Sequence, residues 1–414
     1  MRKSTKTEQE ERGSQDGLTD LIRTGARKLI AQALKAEVAE LLATYANQQD
    51  DRGCAVVVRN GHHPEREIQT GIGPVTVRVP KVRSRQGEPV TFRSALVPPY
   101  VRKTASLEAA IPWLYLKGIS TGEMQPALEA LVGPEAKGVS ASTVARLKQS
   151  WREEYEGWRQ RRLDAEQWVY IWVDGIYSGL RADSQRLCAL VVIGVNAQGK
   201  KQLLAIEDGV RESTQSWREV LLTLKARGLA APKVATGDGA LGFWAAVEEV
   251  YPSTRHQRCW CHKTSNVLNA LTKSAQLKAK QALHDIWLAE TKAKAEEAFD
   301  LFLATYEGKY PKATACLQKD REELLTFYAF PAWHWQSLRT TNPIESTFGT
   351  IRHRTARTKG CLTRDGLLHM MFKLGQCAEK TWRRLRGFRQ LAKVIEGVQF
   401  IDGIEDPTSH PVAA

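Results

Sequence analysis

Three carboxylates stand where the chain could use them for chemistry. Asp174 follows the apolar run Trp168-Val-Tyr-Ile-Trp-Val173 and precedes Gly175. Asp238 lies between Gly237 and Gly239, at the end of a second short apolar run. Glu345 falls just inside a helix start written as Thr341-Asn342-Pro343, with Asn342 expected as N-cap and Pro343 at the first helical position. A single Asp in a strand-end turn is usually a turn former. Two such positions at the ends of strands of one sheet, with a glutamate delivered by a helix packed on it, make a cluster of hard oxygen ligands. Such a cluster suits Mg²⁺ or Mn²⁺. Two ions roughly 3.5–4 Å apart can activate a water or a 3′-hydroxyl and stabilise the leaving oxygen of an in-line phosphoryl transfer. That chemistry needs no nucleophilic side chain. The expected cofactor is therefore Mg²⁺ or Mn²⁺, held by Asp174, Asp238 and Glu345.

Cys259-Trp260-Cys261-His262 also offers metal ligands. A structural zinc centre normally takes four, and no second pair follows at suitable spacing, so a zinc site is not expected there. Basic residues gather after Glu345. Residues 343–393 hold twelve Lys or Arg against three Asp or Glu, beginning with Arg352, Arg354, Arg357 and Lys359. Arg352 lies two helical turns beyond Glu345 on the same face, where it can hold a phosphate or simply be solvated. With Lys263, Arg146 and Lys148, these are the expected DNA contacts. The insertion tryptophan Trp287 and the closing Trp333 and Trp335 read as core packing more readily than as base-stacking platforms.

Composition frames these residues. The chain has 414 residues with a formal net charge of +14 and a pI near 9.4. A surplus of that size points to a polyanionic partner, with nucleic acid the default. The longest unbroken apolar run, Leu187 to Val195, is far shorter than the 18 or so residues a membrane span requires. The polar N-terminus lacks the apolar stretch of a secretory signal. Seven scattered cysteines suggest reduced thiols and a cytoplasmic setting.

The elements that must position the site follow from periodicity. Residues 1–17 read as a disordered tail. Residues 18–50 carry apolar residues at helical spacing, with Leu21, Leu29, Leu34, Leu41 and Tyr45 forming one expected face. That helix either packs on its own domain, pairs between subunits or lies on DNA. Residues 51–103 form a basic β-rich segment in which Gly73 to Pro80 alternates as a strand. Residues 104–160 read as helix, turn, helix, turn, helix, a helix-turn-helix-like unit or a plain three-helix packing unit. Its last helix carries Arg146, Lys148 and Arg152, and its continuation, 151–167, reads as an exposed helix or linker. Strands then follow at Trp168–Val173, Leu187–Val195, Lys201–Glu207, Pro232–Thr236 and Thr254–Trp260, the first three as an antiparallel meander. Helices Ser216–Ala226 and Leu241–Val250 separate the later ones. The order βββαβαβ spans 161–275. A helical insertion, 276–338, precedes a second piece of the same core, 339–400, and a tail, 401–414.

This constellation resembles the DDE transposases, specifically the Mutator-like family of bacterial insertion sequences. The resemblance is carried by Trp172-Val-Asp-Gly-Ile-Tyr177, Val192-Ile-Gly-Val195, Gly237-Asp-Gly-Ala240, Arg255-His-Gln-Arg-Cys-Trp-Cys-His-Lys263 and Arg339-Thr-Thr-Asn-Pro-Ile-Glu-Ser-Thr-Phe-Gly-Thr-Ile-Arg352. It implies an α/β RNase H-like catalytic core, a mixed five-stranded sheet interrupted by an all-α insertion, after a basic DNA-binding N-terminal region. It implies Asp174, Asp238 and Glu345 as the catalytic triad. It also implies a Cys-x-x-His pair beside the active site, matching Cys259 and His262, with Cys261 where an apolar residue is usual. The implied function is Mg²⁺-dependent strand cleavage and strand transfer. The implied partners are double-stranded DNA, as terminal inverted repeats and target, and a second copy of the chain in a dimer or larger synaptic complex, with no membrane. A cytoplasmic, nucleoid-associated location follows. An RNase H-like nuclease or resolvase without strand joining is the second reading, and a transposase-derived DNA-binding regulator the third.

Overall fold

The structure is a computed structural model that describes residues 17–117, 119, 123–132, 141–179, 186–209, 211–239, 241–345, 349 and 363–408. The tail expected over 1–17 lies outside these residues except for Gly17, and Arg352, Arg354, Arg357 and Lys359 lie outside them too. The chain divides into two compact units, Met1–Leu147 and Lys148–Ala414.

In the first unit, helix α1 (Gly17–Thr44) buries Leu34 and Val38. Leu34, with Ile30, packs on Ile68, Val75, Val77 and Val97. The expected leucine face is only partly used, because Leu21 and Leu29 are exposed. A long helix with leucines on several faces buries the one that meets the sheet, and periodicity alone does not select it. Strands β2 (Arg66–Thr70) and β3 (Gly73–Val77) form a hairpin, while β1 (Val57–His62) pairs with β4 (Pro80–Ser84). The single strand expected from Gly73 to Pro80 is thus two, which change partner at Pro80, a residue with no N–H to continue a ladder. Helices α2 (Ala105–Lys117) and α3 (Met124–Val132) pack through Leu107, Ile111, Met124 and Leu128. Helix α4 (Ala141–Gln160) follows.

The C-terminal half of α4 belongs to the second unit and is no exposed linker. Trp151 and Tyr155 are buried. The Tyr155 hydroxyl donates to the Ile206 carbonyl at 2.7 Å, and Arg159 pairs with Glu207 at 2.8 Å. The charged residues around them face water, and the apolar stripe at four-residue spacing is the part that docks.

The second unit is built on a five-stranded sheet of order β7-β6-β5-β8-β9. Strands β5 (Trp168–Gly179), β6 (Arg186–Asn196) and β7 (Lys201–Gly209) form the expected antiparallel meander. Strands β8 (Val234–Gly237) and β9 (Arg255–Arg258) add on the other side in parallel. Ile171, Val173, Leu190 and Val192 face a core closed by α5 (Thr214–Ala226) and α6 (Leu241–Val250). Side chains alternate along a strand, so Tyr170, Trp172 and Asp174 share the opposite face. Helix α7 (Trp260–Asn269) then leads into the insertion: α8 (Lys273–Trp287), α9 (Lys292–Tyr306), α10 (Pro311–Gln318), α11 (Arg321–Leu325) and α12 (Ala332–Leu338). Helix α13 (Arg364–Glu379) packs on β7.

The insertion returns to the sheet along the face that carries Asp174. The Tyr170 hydroxyl meets His334 Nδ1 at 2.9 Å, Trp172 Nε1 donates to the Ser337 carbonyl at 2.9 Å, and the Thr236 hydroxyl donates to the Leu338 carbonyl at 3.1 Å. His334 is fully buried. Its Nε2 donates to the Gly387 carbonyl at 3.0 Å, which leaves Nδ1 to accept from Tyr170 and makes the ring neutral. Burial holds its pKa down at about 4. The unfolded chain therefore takes the proton first, so this histidine's contribution is complete above pH 6.5 and lost as pH falls from 6.5 to 4. The loss should reach roughly 3 kcal/mol. Denaturant titrations at pH 7 and pH 4.5 should show a smaller acid-induced drop in unfolding midpoint for His334→Asn than for the parent chain. An equal drop in both would show that His334 does not carry the effect.

Candidate active site

Parallel pairing of β5 and β8 aligns Tyr170 with Val234, Ile171 with Ala235 and Trp172 with Thr236. Counting two residues further along each brings Asp174 opposite Asp238. Asp174 does not end its strand, as the sequence suggested. β5 runs on to Gly179 alongside β6, while its parallel partner stops near Gly237. The aspartates thus flank the point where the sheet opens on the β8 side. The Asp238 carbonyl accepts from Arg258 Nη1 at 2.8 Å and from Trp244 Nε1 at 3.0 Å, which fixes the loop that presents its side chain. The Arg258 guanidinium also lies over the Trp244 ring, 4.6 Å from its centroid.

Glu345 arrives from the insertion. The Trp260 N–H donates to the Arg339 carbonyl at 2.9 Å, joining the two ends of the excursion. Residues 342–345 are helical. The Glu345 N–H donates to the Thr341 carbonyl at 3.1 Å, so Thr341 occupies the cap position and the helix starts one residue earlier than expected. Pro343 has no N–H to donate and the Ile344 N–H donates to the Thr341 carbonyl at 2.8 Å, so the Thr341 hydroxyl is available for other partners. Its hydroxyl lies 3.1 Å from Glu345 Oε1, 3.3 Å from Cys259 Sγ and 3.4 Å from His262 Nδ1. The Thr341 N–H also donates to Cys259 Sγ at 3.3 Å. His262 Nε2 lies 3.7 Å from Glu345 Oε1.

The electrostatics follow from this crowding. Burial raises the Asp174 pKa to about 7, with Asp238, Glu212 and Glu345 adding to the rise and His262 opposing it. His262 is held up at about 9, first by its hydrogen bond to Cys259 and further by Asp174 and Asp238. Hydrogen bonds from Cys261, His262 and Thr341 pull the Cys259 thiol below its usual range. The donor atoms of Cys259, His262 and Glu345 lie within 4.8 Å of one another. The Thr341 hydroxyl touches all three groups, an arrangement that orients Glu345. Asp174 and its neighbouring carboxylates, by contrast, are desolvated oxygen donors of like charge. That donor set fits a hard divalent cation, whose charge would offset their repulsion.

A family model described as "Transposase, Mutator family" matches residues 1–382. The chain belongs to the Mutator family of transposases. It is 51% identical over 282 residues to the transposase for insertion sequence element IST2 of Acidithiobacillus ferrooxidans, covering 68% of this chain and 95% of that one. It is 48% identical over 304 residues to the transposase for insertion sequence element IS6120 of Mycolicibacterium smegmatis, covering 73% and 94%. It is 29% identical over 357 residues to the transposase for insertion sequence element ISRM5 of Rhizobium meliloti, covering 84% and 85%.

Other expected site residues of the transposase fall in different settings. Arg146, Lys148 and Arg152 are exposed on α4. Lys263 is buried at 7% exposure and forms an ion pair with Asp320. Its Nζ also donates to the Cys316 carbonyl at 2.8 Å, and Arg258 approaches the same aspartate at 3.5 Å. This lysine therefore ties α7 to the insertion, an arrangement that accounts for it without DNA. Glu212, absent from the sequence reading, adds a fourth carboxylate whose pKa burial raises to about 7, with Asp238 contributing. The signal for it was Gly175, a glycine inside a strand, which marks a close approach by another group.

In the absence of metal, the folded chain holds the Asp174 proton more tightly than the unfolded chain does. Its contribution to stability is therefore greatest below about pH 4 and declines as pH rises to 7. Thermal melts in EDTA should show Asp174→Asn gaining stability relative to the parent chain by a few degrees between pH 5 and pH 8. A constant difference across that range would overturn the account of Asp174.

Proposed function

We propose that Asp174, Asp238 and Glu345 of this transposase hold Mg²⁺ or Mn²⁺ and form a DDE centre that cuts and joins DNA at the ends of its insertion sequence. The observation that carries the reading is the convergence of the three. Strand register sets the two aspartates opposite each other, and the hydrogen bonds from Tyr170, Trp172 and Thr236 to residues 334–338 steer Glu345 toward the same opening. The sheet order, with an antiparallel meander followed by two parallel strands, supports an RNase H-like core.

Bound there, divalent ions would activate a water or 3′-hydroxyl and stabilise the leaving oxygen. The protein's own groups do the rest. Thr341 and His262 fix the Glu345 carboxylate. His262, charged at neutral pH, keeps a proton beside that carboxylate and balances part of the acidic charge. Cys259 anchors Thr341 and hence the start of the helix that bears Glu345. Arg352, Arg354, Arg357 and Lys359 follow Glu345 closely in sequence, and their charge suits the phosphates flanking the scissile bond. The exposed basic residues of α4 and the basic 51–103 segment suit recognition of the terminal inverted repeats. Two ends must be brought together, which calls for at least two copies of the chain.

The test is cleavage of a labelled duplex carrying the element's end, in Mg²⁺, Mn²⁺ or EDTA. Asp174→Asn, Asp238→Asn and Glu345→Gln should each lower cleavage more than about 100-fold, beyond what loss of an outer-shell partner costs. Gel shifts on the same duplex should stay within about threefold, because phosphate contacts supply most of the affinity. Any of the three variants cleaving at the parent rate would remove that residue from the centre. Metal-dependent cleavage without strand joining would favour a nuclease, and tight binding without cleavage in any metal a regulator.

A further inference from the structure

Glu212 lies in the connection between β7 and α5, one residue before Ser213, the N-cap of α5. The Ser213 hydroxyl accepts from the Ser216 N–H at 3.2 Å, so the position of Glu212 is set by a fixed helix start. Two glycines then admit it. A Cβ on Gly175 would fall 2.3 Å from the Glu212 Cδ and 2.4 Å from its Oε1. A Cβ on Gly242 would fall 2.4 Å from the Glu212 carbonyl oxygen. A side chain at 242 would meet backbone that cannot give way, and one at 175 would push the Glu212 carboxylate out of its present place. Gly175 directly follows Asp174, and Gly242 lies four residues after Asp238. The strand that carries Asp174 and the helix that follows Asp238 thus each lack a side chain, one where the Glu212 carboxylate lies and the other where its backbone passes.

Asp174 and Gly175 point to opposite faces of β5. That separates groups in the middle of a sheet. Here β8 accompanies β5 only as far as Trp172, so beyond that point no strand divides the two faces on the Asp238 side. A carboxylate resting against Gly175 reaches the same open edge as Asp174 and Asp238. Tyr177 lies two residues further along β5 on the same face as Gly175, and its hydroxyl is electrostatically coupled to Glu212. Charge coupling runs from Glu212 to both aspartates, and it acts on Asp174 more strongly than that from Glu345 does. Desolvating a fourth negative charge beside two others is costly unless a cation offsets it.

Resting on the reading of Asp174 and Asp238 as cation ligands, we infer that Glu212 is a further ligand of the divalent ion on the aspartate side of the centre, with Tyr177 as its positioning residue. Glu345, held by Thr341 and His262, serves the other side. The centre is then a four-carboxylate one, and Gly175 leaves the space in which the Glu212 carboxylate lies.

The experiment is Mn²⁺ binding to the full-length protein at pH 8, without DNA, followed through the electron paramagnetic resonance signal of free Mn²⁺. Asp174→Asn should lose most of the binding. Glu212→Gln, which keeps the shape of the side chain, should weaken affinity about 10-fold or more. In EDTA it should melt no lower than the parent chain, since an uncompensated charge has been removed. Parent-like Mn²⁺ affinity in Glu212→Gln beside a defective Asp174→Asn would overturn this inference and leave the triad standing. Parent-like affinity in both would bring down the triad reading as well. Should Glu212→Gln melt below the parent chain in EDTA, Tyr177→Phe decides. A severalfold loss of Mn²⁺ affinity supports the assignment, and unchanged affinity overturns it.

Discussion

The candidate site depends on one constraint: a residue more than a hundred positions downstream must be set down beside two aspartates at the opening of the sheet. The hydrogen bonds between the sheet and residues 334–338 meet it. Tyr170 and Trp172 alternate with apolar residues that close the opposite core, so their polar edges are free to reach across to the insertion. Thr236 on the neighbouring strand makes the matching contact. Each bond is modest alone, on the order of 1 kcal/mol. Because Tyr170, Trp172 and Thr236 are themselves fully buried, however, breaking any of these bonds strands a polar group away from water. The chain is held in one register against β5 and β8, and Glu345 follows from that register.

Around this spine the transposase arranges charge in two layers. Carboxylates gather at the open edge of the sheet, where Asp174 is desolvated enough to hold its proton near neutrality. Behind them sit buried cations. Arg258 braces the Asp238 loop and, with Lys263, converges on Asp320. A buried ion cluster of this kind adds little net stability, but removing one partner leaves the others uncompensated. Here it couples β9 and α7 to the insertion and keeps the loop of Asp238 from moving independently of the helices that deliver Glu345.

Much of this was legible in the sequence. Long apolar runs gave the meander, and the glycines around Asp238 marked a strand end. Thr341-Asn342-Pro343 announced a helix, although Thr341 took the cap position through its carbonyl, while its hydroxyl turned to Cys259, His262 and Glu345. Other features had no local signature. The buried pairing of Lys263 with Asp320 joins residues 57 apart, and a lysine looks the same in sequence whether solvated or paired. The buried face of α1 was set by its sheet, since its leucines serve several faces equally. Glu212 belongs to no periodic pattern. It was recorded only in the negative, as the glycine at 175, and a glycine beside an aspartate reads first as a turn.

The contact between Trp260 and Arg339 closes the insertion at its neck, so the excursion leaves and re-enters the core at one point. During synthesis the two aspartates emerge long before their third partner. The sheet can assemble around β5 to β9 while the ribosome is still making the helices that follow. The centre stays incomplete until the chain has grown past residue 345 and the neck has closed. A nascent or prematurely terminated polypeptide therefore carries the N-terminal segments and the two aspartates without the glutamate, and the candidate site is assembled only after residue 345 has been made.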